Sequence, residues 1–244
     1  MPSSPESFAP ARRRSTLTAR DLAQIAIFAA LIAALGLPGS LSLGSVAVPL
    51  TFQTLGVMLA GALLGARKGV LAVLLLLVLT AAGLPLLSGG RGGLVWFTTS
   101  PSAGYPYGWL LGAAVIGYLT SLLLPRYRFW PAIGATVLGG IVAVYLIGVP
   151  VTALNTGAPL WVALVDSTKF LPGDLIKVVV TVLVASQVHK AYPGLIPVRG
   201  RRASVQANDE TDAGTDAGSG ARAHAHTDAD APSAPSAPSA PSAG

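Results

Sequence analysis

Between Leu22 and Val198 the chain carries only two acids, Asp166 and Asp174. Its bases there are Arg67, Lys68, Arg91, Arg126, Arg128, Lys169, Lys177 and Lys190. The remainder is mostly apolar or small and falls into stretches near the roughly 20 residues a helix needs to cross a bilayer. An ordinary soluble domain is about 25% charged. This 244-residue chain is 11% charged and 52% hydrophobic, with most of the charge near its two ends. In hydrocarbon every backbone polar group needs an internal partner, so such stretches fold as helices. The fold class is therefore an all-α integral membrane protein.

Six spans are expected, over 22–37, 46–65, 70–87, 107–124, 130–151 and 171–189. Thr18 or Asp21 is placed to cap the first. Pro38-Gly39, Pro85, Pro125 and Pro150 punctuate helix ends, and Pro49 leaves the start of the second span unwound. With six spans both termini share one side. That side receives twelve bases, namely Arg12, Arg13, Arg14, Arg20, Arg67, Lys68, Arg126, Arg128, Lys190, Arg199, Arg201 and Arg202; Arg91 and Lys169 fall on the other. The bias of Lys and Arg toward the cytoplasm puts both termini inside. The chain divides into a polar basic extension (1–17), a six-helix membrane domain (18–198) and a tail (199–244) whose Ala, Asp, Ser, Thr, Gly and Pro content cannot bury a core.

Composition removes several functions. The net charge of +6 flanks apolar segments and forms no basic face with interleaved aromatics, so nucleic acid is not a partner. Cysteine is absent, which excludes disulfides and thiolate chemistry. No metal or cofactor is expected, and His224-x-His226 in the tail is read as incidental. No Gly-x-x-x-x-Gly-Lys-Ser/Thr stretch exists, so the chain has no phosphate-binding loop of that kind.

Asp174 and Lys177 lie in Phe170-Leu-Pro-Gly-Asp-Leu-Ile-Lys, at the start of the sixth span and on one helix face. Charges at membrane depth are expensive and mark polar cavities or substrate paths. A structural ion pair is the bland alternative, weakened because desolvation cancels most of its attraction. Gln53, in Pro49-Leu-Thr-Phe-Gln-Thr, needs a partner on another helix or a ligand. Arg91 stands within Gly89-Gly-Arg-Gly-Gly93, a stretch readable as a flexible connector or as a ligand-approaching loop; the Arg91 cation suits a carboxylate. Ala26, Ala30 and Ala34 recur every four residues on the first helix, a spacing that permits close helix contact, internal or with a partner. By charge topology the polar residues gather on the outer side, where the substrate of an importer arrives.

Three pieces together resemble the BioY family, the substrate-binding S components of energy-coupling-factor biotin transporters. They are Val48-Pro-Leu-Thr-Phe-Gln-Thr-Leu-Gly-Val-Met-Leu-Ala-Gly61 running on to Arg67-Lys-Gly69, Gly83-Leu-Pro85 with the glycine loop, and Phe170 to Lys177. The resemblance covers about 18–197. It implies six helices, capture of biotin outside, no enzymatic activity, and residence in the bacterial plasma membrane. It also implies a transmembrane coupling subunit and two ATPase subunits as partners, with the Ala26, Ala30 and Ala34 face contacting the coupling subunit. Biotin's ureido ring offers two N–H donors and a carbonyl acceptor, and its tail ends in a carboxylate. Asp174 suits the donors, Lys177 or Arg91 the anion, Gln53 either. Phe52, Trp96 and Tyr107 suit the apolar parts; the family's glycine-tyrosine step is altered here to Ala103-Gly-Tyr-Pro-Tyr-Gly108, leaving Tyr105 or Tyr107 to make that contact. A stand-alone proton-coupled vitamin permease titrating Asp174 is the alternative, without an evident inverted repeat to support it. An intramembrane enzyme lacks a nucleophile with a base.

Overall fold

A computed structural model describes residues 17–37, 41–42 and 49–196. The N-terminal arginines, Pro38-Gly39, the tail from 199 and its His224 and His226 lie outside the described residues. Helix α1 (Ala19–Ala34) is followed by a two-residue antiparallel pair, β1 (Leu41–Ser42) with β2 (Pro49–Leu50). Then come α2 (Gln53–Ala81), α3 (Leu94–Thr99), α4 (Gly104–Leu123) and α5 (Phe129–Val137). A π-helical segment, Leu138–Ala143, joins α5 to α6 (Val144–Thr156); α7 (Leu160–Ser167) runs through a 3₁₀ turn, Thr168–Phe170, into α8 (Leu171–Ala191).

Among the described residues four helical stretches are long and apolar enough to cross a membrane, namely Gln53–Ala81, Gly104–Leu123, Phe129–Thr156 and Leu160–Ala191. The expected spans 46–65 and 70–87 become the two arms of α2, divided at Gly65, whose φ of 79° and ψ of 175° break the helix. A residue with a Cβ is strained in that conformation. The arms lie against each other. A Cβ on Gly69 would sit 3.0 Å from the carbonyl oxygen of Ala60, and Val57, Ala60, Val73 and Leu76 share one core cluster.

Other expected boundaries shift for local reasons. Helix α1 starts where Thr18 caps it, in a reciprocal box with Asp21. The second span begins at Gln53 and not at 46, because Pro49 and Leu50 are extended and paired with β1. Its return arm stops at Ala81, short of 87, before Gly83 at φ 110°. The fifth span runs past Pro150 to Thr156 and ends at Gly157, in the left-handed conformation. Pro150 does not end it, as neighbouring helices and shifted hydrogen bonds accommodate proline in membrane helices. Helices α3 and α7 occupy segments expected as loops.

Small residues bring the helices together. Gly104, Gly108 and Gly112 recur every four residues on α4, where added Cβ atoms would meet Val151, the Val144 carbonyl and the Gly139 carbonyl at 2.5, 2.6 and 2.7 Å. Gly117 lets α4 cross the α2 break, its Cβ position being 2.2 Å from the Ala66 nitrogen. Helix α8 is inside out. Asp174, Lys177, Thr181 and His189 are buried, while Leu175, Ile176, Val179, Leu183 and Val184 are exposed. An exposed apolar face with polar groups turned inward is the arrangement lipid favours.

Gly117→Ala tests the close approach. Alanine favours helix over glycine by about 1 kcal/mol, but overpacking against rigid backbone costs about 1–3 kcal/mol, so the clash wins. Thermal unfolding in detergent should show a lowered midpoint. Gly134→Ala, whose Cβ meets nothing within 4 Å, should leave the midpoint unchanged or raise it.

Candidate functional site

The glycine-rich segment is a built turn. Leu87 and Arg91 exchange backbone hydrogen bonds at 3.0 and 3.2 Å. Between them Gly89 and Gly90 take φ of 80° and 69°, and Gly93 takes 87°. Gly92 has no room for a side chain, since a Cβ would sit 2.3 Å from the Leu84 carbonyl oxygen. The Gly93 N–H donates to Thr80 O at 2.8 Å, closing the loop onto the end of α2.

Gln53 holds this turn to the body. Its Oε1 accepts from the Ser88 backbone N–H and hydroxyl, both at 3.0 Å. Its Nε2 donates to Leu86 O at 2.9 Å and to Ile32 O at 3.3 Å. One amide thus joins the start of α2, the far end of α1 and the turn. The partner that a buried glutamine requires is protein backbone, with Ser88 contributing its side chain as well. Arg91 donates from Nε to Ser88 O at 2.7 Å. Burial lowers its pKa, although a guanidinium stays charged throughout the physiological range.

The acid and base of α8 meet beneath this turn. Lys177 Nζ lies 2.9 Å from Asp174 Oδ1. The pair ties α8 to two other helices. Tyr145 on α6 donates its hydroxyl to Asp174 Oδ2 at 2.7 Å, and Lys177 donates to Thr54 Oγ1 on α2 at 2.9 Å. Only 5% of Asp174 and 6% of Lys177 is exposed. A carboxylate has about four lone-pair sites and an ammonium three donors. Each therefore keeps capacity for a ligand group that presents donors beside an acceptor.

These residues share a cavity that opens to the surface and holds about 620 Å³ of empty space when the solvent at its mouth is counted. Gln53, Arg91, Asp174 and Lys177 line it together, with walls from Trp96, Tyr105, Trp109, Tyr145 and Phe170. Tyr105 and Tyr145 meet edge to face at 5.9 Å, and the Tyr105 hydroxyl is 2.9 Å from Ser167 Oγ. Tyr107 is not brought in. It is 41% exposed, its hydroxyl donates to Phe97 O at 3.4 Å, and its ring packs on Phe97. Two residues apart on one helix point to opposite sides, so Tyr105 faces the cavity and Tyr107 cannot. Phe52, half exposed, is also outside the lining.

Tyr145 and Trp109 carry no motif that marks them in sequence, and Phe170 opens the Phe170–Lys177 motif without being singled out as a site residue. Only the fold turns them inward. On α1, Ala26, Ala30 and Ala34 are exposed while Ala29 is buried. Asp166 pairs with Lys169 at the cavity end of the bundle. Among the described residues no group of three or more His, Asp or Glu is arranged to hold a metal.

The fold and site define a helical membrane protein with a small-molecule cavity between its helices. The BioY family model matches residues 10–194, and the chain belongs to that family. It is 47% identical over 191 residues to the biotin transporter BioY of Rhizobium etli, covering 75% of this chain and all of that protein. It is likewise 47% identical over 195 residues to the biotin transporter BioY of Rhodobacter capsulatus, covering 74% of this chain and 99% of that protein. Among solved structures, the S-component for biotin from an ECF-type ABC transporter matches with a TM-score of 0.67 and 32% identity. The match covers 70% of this chain and 91% of that one.

Gln53→Leu removes the amide that satisfies Ser88 and the Leu86 and Ile32 carbonyls. Each buried group left unpaired costs about 1–3 kcal/mol, so thermal unfolding should show a large loss of stability. Gln53→Glu, which keeps an acceptor for Ser88 but loses the donors to Leu86 and Ile32, should fall between.

Proposed function

We propose that this chain captures biotin as the S component of an ECF-type transporter. The observation that carries the reading is the buried Asp174–Lys177 pair opening onto an aromatic-walled cavity. A urea presents two N–H donors beside one carbonyl acceptor, which is what an adjacent carboxylate and ammonium complement. Arg91 at the rim suits the carboxylate of the tail, and Trp96, Tyr105 and Phe170 suit the apolar thiophane ring and chain. Gln53 serves by fixing the rim, and Tyr107 has no ligand contact in this arrangement.

The membrane domain spans 18–198, between the extension 1–17 and the tail 199–244. Its six crossings are α1, the two arms of α2, α4, the continuous α5–α6 unit and α8. Support comes from where the bases sit. Lys68 reaches Asp21 and Gln24 at the start of α1, at 3.1 and 2.7 Å, and His189 lies 2.9 Å from Ala62 O and stacks near Tyr127. Arg20, Arg67, Lys68, Arg126, Arg128 and Lys190 therefore gather at the end opposite the cavity. The bias of basic residues toward the cytoplasm puts both termini inside and the cavity outside. The exposed Ala26, Ala30 and Ala34 face meets the transmembrane coupling subunit, and two ATPase subunits supply energy that this chain has no loop to harvest.

Calorimetric titration of purified protein should detect tight biotin binding. Asp174→Asn and Lys177→Ala each leave the other charge buried and unpaired, so each should weaken binding at least about 100-fold, or roughly 2.7 kcal/mol at about 1.4 kcal/mol per tenfold. Undiminished binding in both would sink the site, and binding of another vitamin in place of biotin would sink the substrate.

The native chain has no cysteine, so orientation can be read with single ones. Thr98→Cys should react with a membrane-impermeant maleimide in intact cells, and Ala191→Cys only after permeabilisation. The reverse pattern would overturn the orientation.

A further inference from the structure

Among the described residues, two buried side-chain polar atoms lack any partner, Trp109 Nε1 and Thr181 Oγ1. Thr181 lies outside the cavity lining. Trp109 is part of that lining, only 3% exposed, and packed in the central core cluster with Val144, Phe170 and Leu77. A buried indole N–H almost always finds an acceptor, and leaving one unpaired costs about 1–3 kcal/mol. The cavity's own acceptors do not serve it. Gln53 Oε1 is taken by Ser88, and the Asp174 oxygens face Lys177 and Tyr145. Trp109 thus lines the cavity while carrying a buried donor that no group of the protein satisfies.

We propose that Trp109 is a further substrate-binding residue, donating its indole N–H to a neutral carbonyl oxygen of the captured molecule. The choice between carbonyl and carboxylate follows from charge. Arg91 brings a cation with N–H groups beyond the one given to Ser88, and it sits in the rim turn. Trp109 lies on the second turn of α4, after Tyr105 and Pro106 in the lining, and contributes one uncharged donor. A carboxylate desolvated there with no cation of its own would be costly. A urea or amide carbonyl would not be, and it would relieve the unpaired N–H. This rests on the biotin reading, in which the acceptor is the ureido oxygen. It makes Trp109 a specificity determinant, since a molecule of the same shape without that oxygen leaves the donor unpaired.

Trp109→Phe keeps a ring and removes the N–H. Purified wild-type and variant protein are titrated with three ligands, namely biotin, biotin methyl ester, and the thiourea analogue whose ureido carbonyl oxygen is replaced by sulfur, a weak acceptor. The variant should bind biotin and the methyl ester about tenfold more weakly than wild type, the size of one buried hydrogen bond. For the thiourea the penalty should shrink below about threefold, because a cycle over residue and ligand isolates their coupling. Equal penalties for urea and thiourea, or no penalty for biotin, would overturn the proposal. A penalty that vanishes for the methyl ester would move the contact to the carboxylate and overturn the carbonyl assignment. Wild-type protein that fails to bind biotin would instead overturn the functional reading beneath it.

A second measurement needs no folded variant at position 109. The chain has four tryptophans, so ¹⁵N-indole spectra of wild type should show four side-chain resonances. Biotin should move the Trp109 proton downfield, with assignment by Trp96→Phe, Trp130→Phe and Trp161→Phe. An unmoved Trp109 resonance at saturating biotin would also overturn the proposal.

Discussion

A carboxylate and an ammonium 2.9 Å apart, buried in a helix whose other faces are aliphatic, set most of what this structure does. Neither charge tolerates lipid, and neither is satisfied by the other alone. Asp174 therefore needs the Tyr145 hydroxyl and Lys177 needs Thr54. Those two bonds fix the rotation of α8 about its axis and its height against α2 and α6. Once α8 is set, Leu175, Ile176, Val179 and Leu183 have no direction but outward. The ion pair contributes little net stability, but it leaves one arrangement in which all of its groups are paired. The cavity is the space on which that arrangement opens.

The rest of the bundle closes by the absence of side chains. Helix α4 lies against the α5–α6 unit through Gly104, Gly108 and Gly112, and against the α2 break through Gly117. In lipid the hydrophobic effect does not draw helices together, so contact area between backbones has to do so. Bulk appears where α4 turns toward the cavity, at Tyr105 and Trp109. The same helix is smooth where it packs and aromatic where it faces a ligand. The π-helical segment, Leu138–Ala143, sits opposite, bringing Gly140 to the lining and against Met58. Such single-turn irregularities recur at functional sites.

Much of this was legible from the chain alone because charge in lipid is so costly. Asp174, Lys177 and Arg91 stood out as exceptions to an apolar background, and the structure brings them to one cavity with Gln53. What stayed hidden was whatever depends on which way an ordinary residue faces. Two tyrosines flank Pro106, and only the roll of α4 shows that Tyr105 is the inward one. Tyr145 sits among aliphatic neighbours with nothing local to mark it, and Trp109 follows the Tyr105–Gly108 step without being marked as an inward residue. Gln53 could be read as needing a partner, but not that backbone groups 21, 33 and 35 residues away would take up its amide. The turn at Gly65 was legible as the end of the span 46–65, where Arg67 and Lys68 interrupt the apolar run; the dihedrals add that a single residue leaves the helical conformation to make it.

Gln53 carries a mechanical consequence. Four hydrogen bonds to two separate pieces of chain converge on a single amide plane. Three of the bonds go to the rim turn and share one rigid amide, so lifting the turn has to release those three together, and intermediate positions of the turn gain nothing over a full release. The side chain is therefore a snap fastener rather than a hinge: the rim turn is held in place as a unit or let go as a unit. The helix that bears the exposed alanine face is fastened to the same stud.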